Sequence, residues 1–202
     1  TGELNLQMEN YFKSAERGEF FWRRIDSLSQ TIKIGTILPH PFGWRTGVDI
    51  DYQHEIFRGF YASIENRYQL STYFPLIGTT GFGYVTGKTT PTLTGKENGF
   101  EKTSYNAFSL SSKKENINDR YLPTSGNALI INADGGLDGK TVFLNSGIKL
   151  LKIGPINRDI FYKISYNAKG IVYKGANVPK SRYHRFGGSS TLRGYDEQYF
   201  MA

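Results

Sequence analysis

Cysteine is absent from the chain, which excludes a disulfide framework, a Cys-based zinc site and thiol redox chemistry. Long hydrophobic runs are missing too. The longest is a handful of residues, as at 128–131, whereas a helix crossing a bilayer needs roughly 20, so transmembrane helices are excluded. No charged stretch followed by an apolar core stands at the start, so a signal peptide is expected to be cleaved, to lie outside this sequence, or not to exist. Basic helices and recognisable nucleic-acid modules are also lacking. The net charge of +7 comes from 25 Lys and Arg scattered over alternate positions and loops, and it reads as a solvated surface with no nucleic acid as partner.

Aromatic residues are plentiful. The 202 residues include 14 Tyr and 14 Phe beside 23 Gly. Apolar side chains recur with a period of two, the spacing at which a strand sends successive side chains to opposite faces. From 59 to 75 one face reads Phe60, Ala62, Ile64, Asn66, Tyr68, Leu70, Thr72, Phe74, and the other Tyr61, Ser63, Glu65, Arg67, Gln69, Ser71, Tyr73. The stretch 43–54 repeats this, with Asp49 and Asp51 on its hydrated face, and 159–173, 142–150 and 3–9 follow suit. About nine strands are expected, at roughly 3–13, 25–38, 43–54, 59–74, 80–87, 103–114, 127–135, 140–153 and 159–173, with a long loop at 175–200.

Strand length separates the membrane reading from the soluble one. Soluble strands usually hold about five or six residues, and several here are twice that. Twelve residues at a tilt near 40° rise roughly 30 Å, enough for the apolar band of an outer-membrane barrel. Aromatics near strand ends, among them Trp44, Tyr52, Phe60, Tyr61, Tyr73 and Phe74, suit the girdles at the headgroup level. The fold expected is therefore an all-β, antiparallel transmembrane β-barrel. Its connections are expected to alternate between tight turns, as at 153–158, and exposed loops, as at 86–103.

Enzyme signals are weak. His40, His54 and His184 have no helical i, i+4 partner for a metal, and no metal or cofactor is expected. The Gly187-Gly188-Ser189-Ser190 stretch lacks the spacing of a nucleophile elbow. Gly81-Phe82-Gly83 lacks the third glycine and the helix of a dinucleotide site. Asp49 and Asp51 share one strand face about 7 Å apart with no partner identified. The chain is not read as an enzyme.

The end of the chain, Phe186-Gly-Gly-Ser-Ser-Thr-Leu-Arg-Gly-Tyr195, resembles the signature of the BamA/TamA surface-antigen superfamily of outer-membrane assembly and translocation barrels. The matching residues are Arg193, Gly194 and Tyr195, led in by Gly187 and Gly188. A second segment, with Asp119 and Arg120 leading to Pro123 and Gly126, resembles a turn of that family. The resemblance implies a long sixth extracellular loop folded back into the lumen, where Arg193 would donate its fork of hydrogen bonds to wall groups and Gly194 would allow a sharp tip. It further implies a sixteen-strand barrel, incomplete in this chain, and periplasmic POTRA repeats, of which 1–202 shows none.

The function so implied is folding and insertion of β-barrel proteins into the bacterial outer membrane. Its partners would be the lipid bilayer, unfolded outer-membrane or secreted polypeptides, periplasmic chaperones and accessory lipoproteins. The alternatives are a two-partner-secretion-type polypeptide translocator, the membrane anchor of a fused patatin-like lipase, and a simple porin or adhesin barrel.

Overall fold

A computed structural model of the chain describes residues 2–119, 122–186 and 200–201. The architecture is one antiparallel sheet of ten strands paired strictly in chain order. These are β1 (Gly2–Glu9), β2 (Arg17–Asp26), β3 (Ser29–Leu38), β4 (Gly47–Phe57), β5 (Tyr61–Phe74), β6 (Gly78–Pro91), β7 (Thr103–Ile117), β8 (Gly126–Asp138), β9 (Thr141–Pro155) and β10 (Phe161–Tyr173). A separate two-stranded ladder pairs β11 (Arg185–Phe186) with β12 (Phe200–Met201). Among the described residues the large sheet does not close on itself: β1 and β10 pair on one side only. No helix among them is long and apolar enough to cross a membrane.

Ten strands replace the nine expected. The pattern missed β2 because Phe20, Phe21 and Trp22 interrupt the alternation, and it ran the end of β2 into β3. Pairing of Phe21 with Lys33 and Trp22 with Ile32 shows that the period of two persists through that aromatic run. Two connections were also misplaced. Much of 86–103 is regular structure rather than loop: β6 continues to Pro91, and a short helix, α1 (Leu93–Glu97), follows before Thr103 opens β7. Thr92 caps that helix by accepting from the Gly95 amide at 3.1 Å, the usual role of an N-cap threonine. Near 153–158, β9 runs through Gly154 and Pro155, so the turn comes later, at 156–160.

The two faces differ as the alternation requires. One carries Ile64, Leu70, Phe82, Phe108, Leu110, Leu144, Ile164 and Val172, of which Phe108, Ile164 and Val172 are 65%, 64% and 66% exposed. So continuous an apolar surface is not sustained in water and marks a face meant for lipid or another apolar partner. Among the described residues, the opposite face holds the large side chains that are nearly fully buried, including Phe57, Tyr61, Val85 and Phe143. Tyr61 thus leaves the expected headgroup girdle: it is only 2% exposed and packs at 5.5 Å from Phe57 and 5.2 Å from Phe100. Trp44 and Tyr73, by contrast, are exposed.

Candidate functional site

Rows of paired residues run across the inward face, and each contributes differently. One row joins Gln69, Gly83, Ser109, Asp134 and Asn145 through successive strand pairs. Arg67, two residues along β5 and on the same face, reaches over this row. Its guanidinium donates to Asp134 Oδ1 at 2.8 Å and Oδ2 at 3.0 Å, and to Ser109 Oγ and Glu65 Oε1. Gln69 donates to Ser109 Oγ at 3.0 Å, and Asn145 donates to Asp134 at 3.4 Å. Since β5 and β8 are three strand spacings apart, roughly 14 Å in a flat sheet, this bidentate pair requires the sheet to curl around its inward face.

Beyond the row of Arg67, Val85, Ala107, Gly136 and Phe143, another joins Glu65, Gly87, Tyr105 and Asp138. The Tyr105 hydroxyl donates to Glu65 by laying its ring across Gly87, where an added Cβ would fall 2.2 Å from the ring. Only glycine leaves room for that crossing. Tyr105, Phe143 and Tyr173 then form an aromatic wall, with centroids 5.6 Å apart at each step and the Tyr173 hydroxyl donating to Asp138 at 2.8 Å.

After β10 the chain does not leave this wall; it folds back onto it. Residues 177–186, here termed the strap, include the 3-10 turn Lys180–Arg182. Val178 packs against the aromatic wall, and Lys180 Nζ donates to the Asn98 carbonyl at 3.0 Å, tying the strap to the loop behind α1. The Arg182 guanidinium lies 3.7 Å from the Tyr105 centroid and 4.9 Å from that of Phe143, within cation–π range. Arg185 donates to Glu55 at 2.7 Å and stands 4.3 Å over Phe57, with side-chain exposures of 15% and 9% for the pair.

Between strap and wall lies a polar cavity of about 180 Å³, bordered by Glu55, Glu65, Thr89, Asn145, Arg182 and His184 among others. Burial pushes the His184 imidazole below its ordinary pKa, and the charges of Lys169 and Arg182 add to that shift.

The residues singled out from sequence fare unequally. Gly187, Gly188, Arg193, Gly194 and Tyr195 lie outside the described residues, as do Arg120, Ser189 and Ser190. The described residues on either side of 120–121 are tied together: Asp119 accepts from the Leu122 amide at 2.8 Å, and Asn118 accepts from the amides of Thr124 and Ser125. Gly126, with φ of +136°, sits where a Cβ would fall 2.3 Å from the Asn116 carbonyl. Pro123 lies within this connection, before β8 opens. Asp49 accepts from Ser71 at 3.3 Å, an ordinary wall contact. His40 bonds the Trp44 carbonyl, His54 belongs to β4 and His184 to the strap. Among the described residues no group of His, Asp and Glu could hold a metal ion.

Arg182, Arg185, Glu55, Arg67 and Asp134 were not singled out. The available signal was modest: two arginines three apart, just ahead of the loop signature, and an arginine on a hydrated strand face.

A family model described as the Omp85 superfamily domain matches residues 3–201. Comparison with curated proteins found no match.

Proposed function

The chain belongs to the Omp85 superfamily, whose members act in the outer membrane in insertion or translocation of polypeptides, and from that premise we propose that this chain is barrel wall from an assembly factor that folds and inserts β-barrel proteins. The apolar outward face would lie in the outer-membrane bilayer. A client strand would add to an exposed sheet edge through backbone hydrogen bonds, so no covalent bond is made or broken and no cofactor is needed. Periplasmic chaperones and accessory lipoproteins would deliver and position such clients.

The observation that carries this reading is the strap, held on the inward wall by Arg182 and Arg185. A wall whose edge must part for a client needs internal bracing that does not depend on edge pairing, and the strap joins residues of β4, β7 and β9. The full-length protein, reconstituted in vesicles with a urea-unfolded barrel client, tests it. Faster client folding than in empty vesicles, slowed by Arg182→Ala with Arg185→Ala, is the expected result. Passage of an unfolded chain into the vesicle without faster insertion would instead assign a translocator. Neither activity, with an acyl-ester hydrolase active in the same protein, would assign a lipase anchor.

A further inference from the structure

The outward face carries a second feature, at the end of the sheet opposite the strap. There the alternation that delivers apolar residues to this face breaks into a polar row: Asn116 on β7 pairs with Asn127 on β8, and Asn127 with Lys152 on β9. One row further from the strand ends, Lys114 pairs with Leu129, Leu129 with Leu150, and Leu150 with Tyr166. Ile164 completes the floor beside Lys152. These residues wall a groove of about 700 Å³.

Polar groups sit toward the rim and apolar ones toward the middle of the sheet, which is the polarity of a lipid. Lys114 stretches to the rim, donating to the Leu76 carbonyl at 2.8 Å in the neighbouring turn, as long basic side chains do at a membrane boundary. No carboxylate lines the groove. Glu115, adjacent in sequence, belongs to the other face by alternation and pairs with Lys113 at 2.7 Å.

We propose that this groove binds one anionic glycerophospholipid, its phosphodiester held by the ammonium groups of Lys152 and Lys114 and the amides of Asn116 and Asn127, with an acyl chain along Leu129, Leu150, Ile164 and Tyr166. Two lysines without an acid among them complement a phosphodiester whose headgroup adds no balancing cation, so phosphatidylglycerol is favoured over phosphatidylcholine. The proposal rests on the outward face lying in a bilayer, and flotation of the protein with vesicles reads that separately from lipid choice.

The test is to reconstitute the full-length protein in mixed phosphatidylcholine and phosphatidylglycerol vesicles, release it gently, and count retained lipids by native mass spectrometry. One phosphatidylglycerol retained in preference to phosphatidylcholine is expected, with the preference falling about fivefold for each of Lys152→Gln and Lys114→Gln, the effect of one basic residue near an anionic surface. Lys88→Gln, which removes an outward lysine near the strap end, should leave it unchanged, and Lys152→Arg should preserve it even if a glutamine variant folds poorly. Retention in the vesicle's own proportions, an equal loss in Lys88→Gln, or displacement by inorganic phosphate alone would overturn the proposal. Protein that fails to float with vesicles would overturn both the site and the membrane placement.

Discussion

Replacing Arg185 by alanine removes the cation from a pair that is largely withdrawn from solvent, with side-chain exposures of 15% for Arg185 and 9% for Glu55. The loss is larger than for a surface pair because the Glu55 carboxylate stays behind, beside Phe57 and Tyr61, without its 2.7 Å partner. Breaking a buried pair from one side costs about 3–5 kcal/mol. The adjoining 180 Å³ cavity lets water reach the carboxylate, so the lower end applies. A cost of about 3 kcal/mol multiplies the ratio of undocked to docked strap by roughly two orders of magnitude. Backbone hydrogen exchange at 178–184, measured on reconstituted protein, should accelerate by that factor while exchange in β5–β9 is unchanged.

Two further variants sharpen the expectation. Arg185→Lys keeps the charge but loses the fork that spans Glu55 and the Phe57 ring, so it should fall between wild type and alanine. Arg185→Met with Glu55→Gln removes both charges and should cost less than Arg185→Ala alone, since an uncharged pair of similar volume leaves no stranded ion. Unaltered exchange at 178–184 in Arg185→Ala would refute the reasoning.

Three other outcomes are expected. Asp134→Ala removes the two-oxygen partner of the Arg67 guanidinium, which is 21% exposed and keeps Glu65 at 3.3 Å, and should lower the urea resistance of the refolded protein by about 3 kcal/mol, the lower end for a buried pair broken from one side, whereas Asp134→Asn should cost less because one acceptor oxygen remains. Gly87→Ala drives a methyl into the Tyr105 ring and should cost about 1–3 kcal/mol in the same titration, with the Arg182 contact loosened as a side effect visible in exchange. In the connection between β1 and β2, hydrogen bonds from the Ser14 side chain and from the amides of Phe12 and Ser14 hold the Glu16 carboxyl down at about 2 rather than 4.5, although burial works against this. Its folded-state value is depressed, so its contribution is complete above pH 4.5 and is lost as pH falls toward 2. Exchange at 10–16 should therefore rise over that acid window, and Glu16→Gln should abolish the pH dependence.

The sequence by itself determined the fold class. A period of two is a local property of a strand, and alternation kept up over a dozen or more residues, as at 59–74 and 159–173, leaves a membrane-scale antiparallel sheet as the natural arrangement. It also marked which residues share a face, so that Glu65, Arg67 and Gln69 were grouped before any contact was known. Local alternation could not say how far a glycine- and threonine-rich stretch stays extended, and the expected strand 80–87 stopped at Gly87, short of Pro91, for that reason: small residues on its inward side look like loop until larger neighbours cover them, as Tyr105 covers Gly87.

Tertiary structure alone decided the wall chemistry. Arg67 and Asp134 are 67 positions apart, and Arg185 and Glu55 are 130 apart. Such pairs follow from strand register and from curling of the sheet, which sum over many residues and leave no trace at any one of them. The contacts that anchor the strap were invisible for the same reason. Two arginines in a polar segment read as solvated until an aromatic wall and a buried carboxylate, assembled from four other strands, give them somewhere to go.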